Sequence, residues 1–126
     1  MIRLLRKWRN TSAPIAVTSA VASTYVKGLV KKGQFAVFQL PSRRAFAQVM
    51  RIETGGVRIE VSARSEQLEK ALEPVGTVTV NDLGFLTVVS EPGADGMVGQ
   101  VLAESIAALA AVYGCDTITS VQTGRQ

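Results

Sequence analysis

The chain has 126 residues, a formal net charge of +4, and 47% hydrophobic and 19% charged side chains, the composition of one globular domain rather than a disordered segment. It carries one cysteine and no histidine, which excludes an internal disulfide framework and removes the commonest general base, metal ligand and pH switch. Charge is lopsided: residues 1–52 hold 10 of the 14 basic side chains and none of the 10 acidic ones, so they sum to +10 and residues 53–126 to −6. Such asymmetry fits an acidic partner, pairing between the two halves within or between chains, or simply solvated faces.

MIRLLRKWRN reads as a basic arm (residues 1–10) ahead of a single domain over residues 11–126. Arg3, Arg6, Lys7 and Arg9 are candidate contacts for an anionic partner, either a nucleic acid or a membrane surface. Ile2, Leu4, Leu5 and Trp8 interleave with them, and these can equally dock on the chain's own domain. The following TSAPIAVTSAVAS imitates a secretory or transit leader, but Pro14, Thr18 and Ser19 interrupt its apolar middle. No stretch reads as the ~18 apolar residues of a membrane span, so the expected location is the cytoplasm.

A helix is expected within residues 11–33, opening at Ser12 and Pro14 and closing at Gly33, with Ala22, Val26, Leu29 and Val30 on one face. PIAVTSAV within it also alternates like a strand. QFAVFQL, AFAQVMRIE and VRIEVSA then form a three-strand meander joined by PSRR and TGG. SEQLEKALEP is a short helix capped by Ser65, and TVTV and FLTVVSE are two more strands. DGMVGQVLAESIAALAAVYG is the strongest helix pattern, with Asp95 as its cap and Gly114 as its end. The order α-β-β-β-α-β-β-α predicts an α+β fold, an antiparallel sheet packed against helices.

RIETGGVRIE writes Arg-Ile-Glu twice around Thr-Gly-Gly-Val. Taking Gly55-Gly56 as a two-residue hairpin turn pairs Ile52 with Ile59, Met50 with Val61, and Arg51 with Glu60. That register turns Phe35, Val37, Phe46, Met50 and Ile52 toward the core. It leaves Ala36, Phe38, Leu40, Ala45, Ala47 and Val49 on the opposite face as an apolar patch. A helix of the same chain, a second copy or a client segment could cover such a patch. Phe38, Leu40, Ala47 and Val49 are therefore the candidate protein-binding or dimer contacts.

Catalytic patterns are weak. Glu66, Glu69 and Glu73 share a helix face, Asp82 sits in a turn signature, and Cys115 has no histidine to activate it. EPGADGMVG has neither P-loop lysine nor dinucleotide spacing. No catalytic, cofactor or metal site is expected.

FAQVMR with GGVRIEVS, the segment LEKALEPVGT, and the closing LAAVYG resemble the middle strands, short helix and final helix of the YbjN and type III secretion chaperone-like superfamily. The resemblance runs over roughly residues 18–118, with Thr77 where the family carries an aromatic residue. It implies a small, often dimeric, non-enzymatic domain that binds extended segments of client proteins or acts as a regulator. The expected function is thus a non-catalytic, self-associating protein-binding module. The alternative is a binder of nucleic acid or anionic surfaces through the basic N-terminal region.

Overall fold

The computed structural model describes the backbone of residues 10–11 and all of residues 13–126. Apart from Asn10, the arm expectation, including Arg3, Arg6, Lys7 and Arg9, therefore lies outside the described residues. Among the described residues the fold is α+β, three helices and an antiparallel sheet. Strands β1 (Asn10–Thr11), β2 (Ile15–Ala16), β3 (Gln34–Gln39), β4 (Phe46–Arg51), β5 (Val57–Val61), β6 (Thr79–Val80), β7 (Leu86–Val89) and β8 (Ile118–Arg125) alternate with helices α1 (Ser19–Gly28), α2 (Glu66–Leu72) and α3 (Asp95–Tyr113). Seven strands run in the order β1-β8-β3-β4-β5-β7-β6, and β2 also pairs with β8.

The first helix is shorter than its sequence suggests. Thr18 caps α1 by accepting a 3.2 Å hydrogen bond from the Val21 N–H. Upstream, β1 and β2 both pair with β8, but the register advances by one residue between them. The extra residue falls around Pro14, which has no N–H to give the ladder. So Pro14 breaks a strand rather than opening a helix, and Gly33, at φ +87°, turns the chain into β3 instead of capping α1.

Ser65 caps α2 through the Leu68 N–H at 3.0 Å, and Gly114 ends α3 in the left-handed conformation, both as the sequence predicts. Asp95 does not cap α3. Ala94 holds that position, and Asp95 is the first helical residue with its carboxylate turned elsewhere. By length and composition α3 is sufficient to cross a membrane, contrary to the sequence expectation, yet half of that window is buried inside the domain. Its buried residues include Val98, Val101, Leu102, Ile106 and Leu109.

Helices α1 and α3 pack on one face of the sheet. Gly99 of α3 touches α1 so closely that a Cβ there would stand 2.1 Å from Ser23 Oγ. Beneath them Phe38, Val49, Ile59, Val61, Leu86 and Val121 are buried with Ala22, Val26 and Leu102 in one cluster. Tyr25 of α1 meets the Phe38 ring edge-on at 5.5 Å. Burial of this size is the main force holding the fold.

The β4–β5 hairpin differs from its predicted register. Ile52 N–H bonds Gly56 O at 3.0 Å, and Gly55 N–H bonds Ile52 O at 3.0 Å. Residues 53–55 therefore form a three-residue loop with Gly55 at φ +93°, the type I turn with a glycine bulge. Val49 pairs with Ile59 and Arg51 with Val57, so partners sum to 108 rather than 111. An odd shift of three exchanges the two faces of one strand relative to the other. Gly56 is free to let the next strand approach: a Cβ there would lie 2.1 Å from the Ser90 carbonyl oxygen. Gly56→Ala is expected to cost about 1–3 kcal/mol through overpacking against backbone, read as a lower urea midpoint with an unchanged slope.

Candidate functional site

The four residues expected to form an association surface lie inside the core. Phe38, Ala47 and Val49 are 0% exposed and Leu40 2%, under α1 and α3. Their grouping on one face is correct: Phe38 faces Ala47, and the Leu40 N–H bonds Ala45 O at 2.9 Å. What fails is the assignment of that face to solvent. It rested on the hairpin register that the three-residue loop overturns. With these side chains interior, they offer no surface for a dimer or a client.

The expected Arg51–Glu60 pair is likewise absent. Glu60 pairs in register with Gln48 and Thr87, and its carboxylate accepts a 2.8 Å bond from Asn81 Nδ2. Arg51 points into the protein and is 7% exposed. Its Nε donates to Leu29 O. Its Nη1 donates to Gly55 O and Asp95 Oδ1, both at 3.0 Å. Its Nη2 donates to Val26 O at 2.8 Å and Asp95 Oδ2 at 3.1 Å. The five guanidinium N–H groups thus meet five acceptors. One side chain ties the end of α1 to the β4–β5 loop and the start of α3. Sequence reasoning missed this group because its partners other than Gly55 lie 22 to 44 residues away.

The other face of the sheet is chemically divided. Row by row it carries Gly124, Phe35, Met50, Arg58 and Val89, and then Gln122, Val37, Gln48, Glu60 and Thr87. Phe35, Val37 and Met50 form a second apolar cluster with Phe46 against it, and no residue of the described helices belongs to it. Phe46 in turn meets Phe85 edge-on at 5.6 Å. The β5–β7 half is polar and open, with Arg58 exposed and Val89 48% exposed. The Thr79 and Thr87 hydroxyls hydrogen-bond at 2.8 Å across its outer edge. Sequence alternation had placed Phe35, Val37, Phe46 and Met50 on one face correctly, but named that face the core.

Glu66, Glu69 and Glu73 are exposed along α2, where Glu66 pairs with Lys70 at 3.3 Å. Asp82 is exposed in a turn that Asn81 organises by accepting from the Leu83 and Phe85 N–H groups. Cys115 is a half-buried thiol after α3. Among the described residues, no three His, Cys, Asp or Glu side chains gather as metal ligands do. No protein-family model, curated protein or solved structure matches this chain.

Proposed function

We propose that the protein is a non-catalytic module that binds a protein segment on the sheet face turned away from α1 and α3. One observation carries this reading: beside the largely buried apolar cluster of Phe35, Val37, Met50 and Phe46, that face carries an open strip with Arg58 exposed, Val89 48% exposed and Glu60 half-buried. Apolar contact at Val89 gives a segment affinity, and the flanking Arg58 and Glu60 fix its register. The function class agrees with what the sequence resemblance implies, although the contact set is different. Peptides selected from a random display library on the full chain test it. Val89→Glu and Arg58→Glu, both at exposed positions, are expected to weaken the selected peptides by about tenfold or more, or about 1.4 kcal/mol, with unchanged far-UV circular dichroism. Binding should survive high salt, because apolar burial is not screened. Peptides indifferent to both substitutions would remove the assignment. Steep salt-dependent binding of DNA or RNA in their place would favour the anionic-partner alternative.

A further inference from the structure

We infer that the segment this protein binds is acidic at one end, and that Arg43, Arg44 and Arg64 receive that end. This rests on the reading that the open strip accepts a segment, and adds the segment's chemical class. All three arginines are exposed. The ion pairs among the described residues are Lys32–Glu53, Arg51–Asp95 and Lys70–Glu66, so none of the three has an acidic partner there. Together, on two joined loops, they concentrate positive charge at one end of the sheet.

Ser62 joins the loops. Its N–H donates to Phe46 O at 3.0 Å, and its Oγ accepts from the Phe46 N–H at 2.9 Å. The same hydroxyl donates to Arg44 O, and the Ser62 carbonyl accepts from the Tyr113 hydroxyl at 3.0 Å. Ser65, the cap of α2, anchors the chain just after Arg64. The backbone beneath Arg44 and Arg64 is thus held before any partner arrives, which lowers the ordering cost of binding. The strip leads directly to them. Its rows run from Arg58 and Val89 through Glu60 and Thr87, and the same register continues to Ser62 and Phe85. Arg64 follows Ser62 by two residues, and Arg44 precedes Phe46 by two. From Arg58 to Arg64 is about 20 Å of extended chain, which a segment of about seven residues spans.

Charge decides the occupant. Glu60, the acid of these rows, is already engaged by Asn81 Nδ2, whereas Arg58 is exposed. A carboxylate can take two parallel N–H bonds from an arginine, so acidic side chains suit the loop pair. A nucleic acid needs a basic track that continues along its phosphates. Here the track is short. Exposed Asp116 shares a cleft with Pro41 on one side, and exposed Asp82 occupies the turn before Phe85 on the other. A short acidic stretch fits between these two carboxylates, whereas a long polyanion is repelled by both.

Peptides selected on the full chain should carry Asp or Glu toward one end. Replacing those acids with Asn or Gln should weaken binding by about tenfold or more at low salt, a gap that narrows as salt rises. Arg43→Glu, Arg44→Glu and Arg64→Glu combined should abolish the acid preference and favour the same peptides with Lys in place of the acids. If that triple variant proves unfolded by circular dichroism, Arg44→Gln and Arg64→Gln decide singly. Each should weaken the acidic peptides by about twofold or more. Dye-labelled hexaglutamate and hexaglutamine probe the loops without the strip, and only the first should bind, through the arginines, at low salt. Selected peptides that show no acid preference, or are indifferent to the arginine variants, overturn the inference and leave segment binding standing. If hexaglutamate needs the arginines but no peptide responds to Val89→Glu or Arg58→Glu, the arginine site holds and the proposed function falls. An oligothymidylate that displaces the acidic peptides, and gains affinity with length, overturns the inference in favour of nucleic acid.

Discussion

Phe38→Ala is expected to remove about 3–5 kcal/mol of folding free energy, the usual cost of truncating a buried aromatic residue. Phe38 sits in the middle of the sheet with Ala47 on one side and Val121 on the other. It is 0% exposed and meets the Tyr25 ring edge-on. A domain of this size has about 5–15 kcal/mol in total, so the loss takes a large share. Phe38→Glu is expected not to fold at all, since it would bury an unpaired carboxylate under α1 and α3. Val89→Ala, on the exposed side of β7, is the contrasting control and should change stability by no more than about 0.5 kcal/mol. Urea denaturation followed by circular dichroism measures all three. A folded Phe38→Glu protein with an altered oligomeric state would return Phe38, Leu40, Ala47 and Val49 to the surface.

How far the sequence discloses this fold depends on how local each signal is. The caps at Ser65 and Gly114 are local, and the structure has both. The pairing of β3 with β4 is nearly so, because the Pro41–Arg44 loop is short and the alternation on both sides agrees. Strand β8 is different. ITSVQTGR mixes polar and apolar residues without a turn partner nearby, and only β3, some eighty residues earlier in the chain, makes it a strand. Strands β1 and β2 depend in turn on β8. The hairpin failed for a more specific reason: Thr-Gly-Gly-Val permits two loops that differ by an odd number of residues. Their difference is invisible in composition and decides which face is wet. The candidate site inherited that error, so its residues were grouped correctly and placed on the wrong side.

Arg51→Ala is expected to destabilise the protein by about 3–5 kcal/mol, the range for breaking a buried ion pair from one side. Arg51 keeps 9% of its side chain exposed and Asp95 27%, so removing the guanidinium strands a carboxylate that water only partly reaches. It also leaves Val26 O and Leu29 O, at the end of α1, without their cation. Arg51→Lys is not expected to rescue, because a point ammonium cannot serve five acceptors arranged around a planar fork. Arg51→Met with Asp95→Leu asks a sharper question. If the pair contributes mainly by avoiding an orphaned charge, the double variant should recover much of the loss, giving a coupling of about 1–3 kcal/mol in the cycle. If the double variant is as unstable as the two losses added together, the carbonyl contacts rather than Asp95 carry the stabilisation. Arg51 would then be a clamp on α1 and the β4–β5 loop that happens to lie beside an acid.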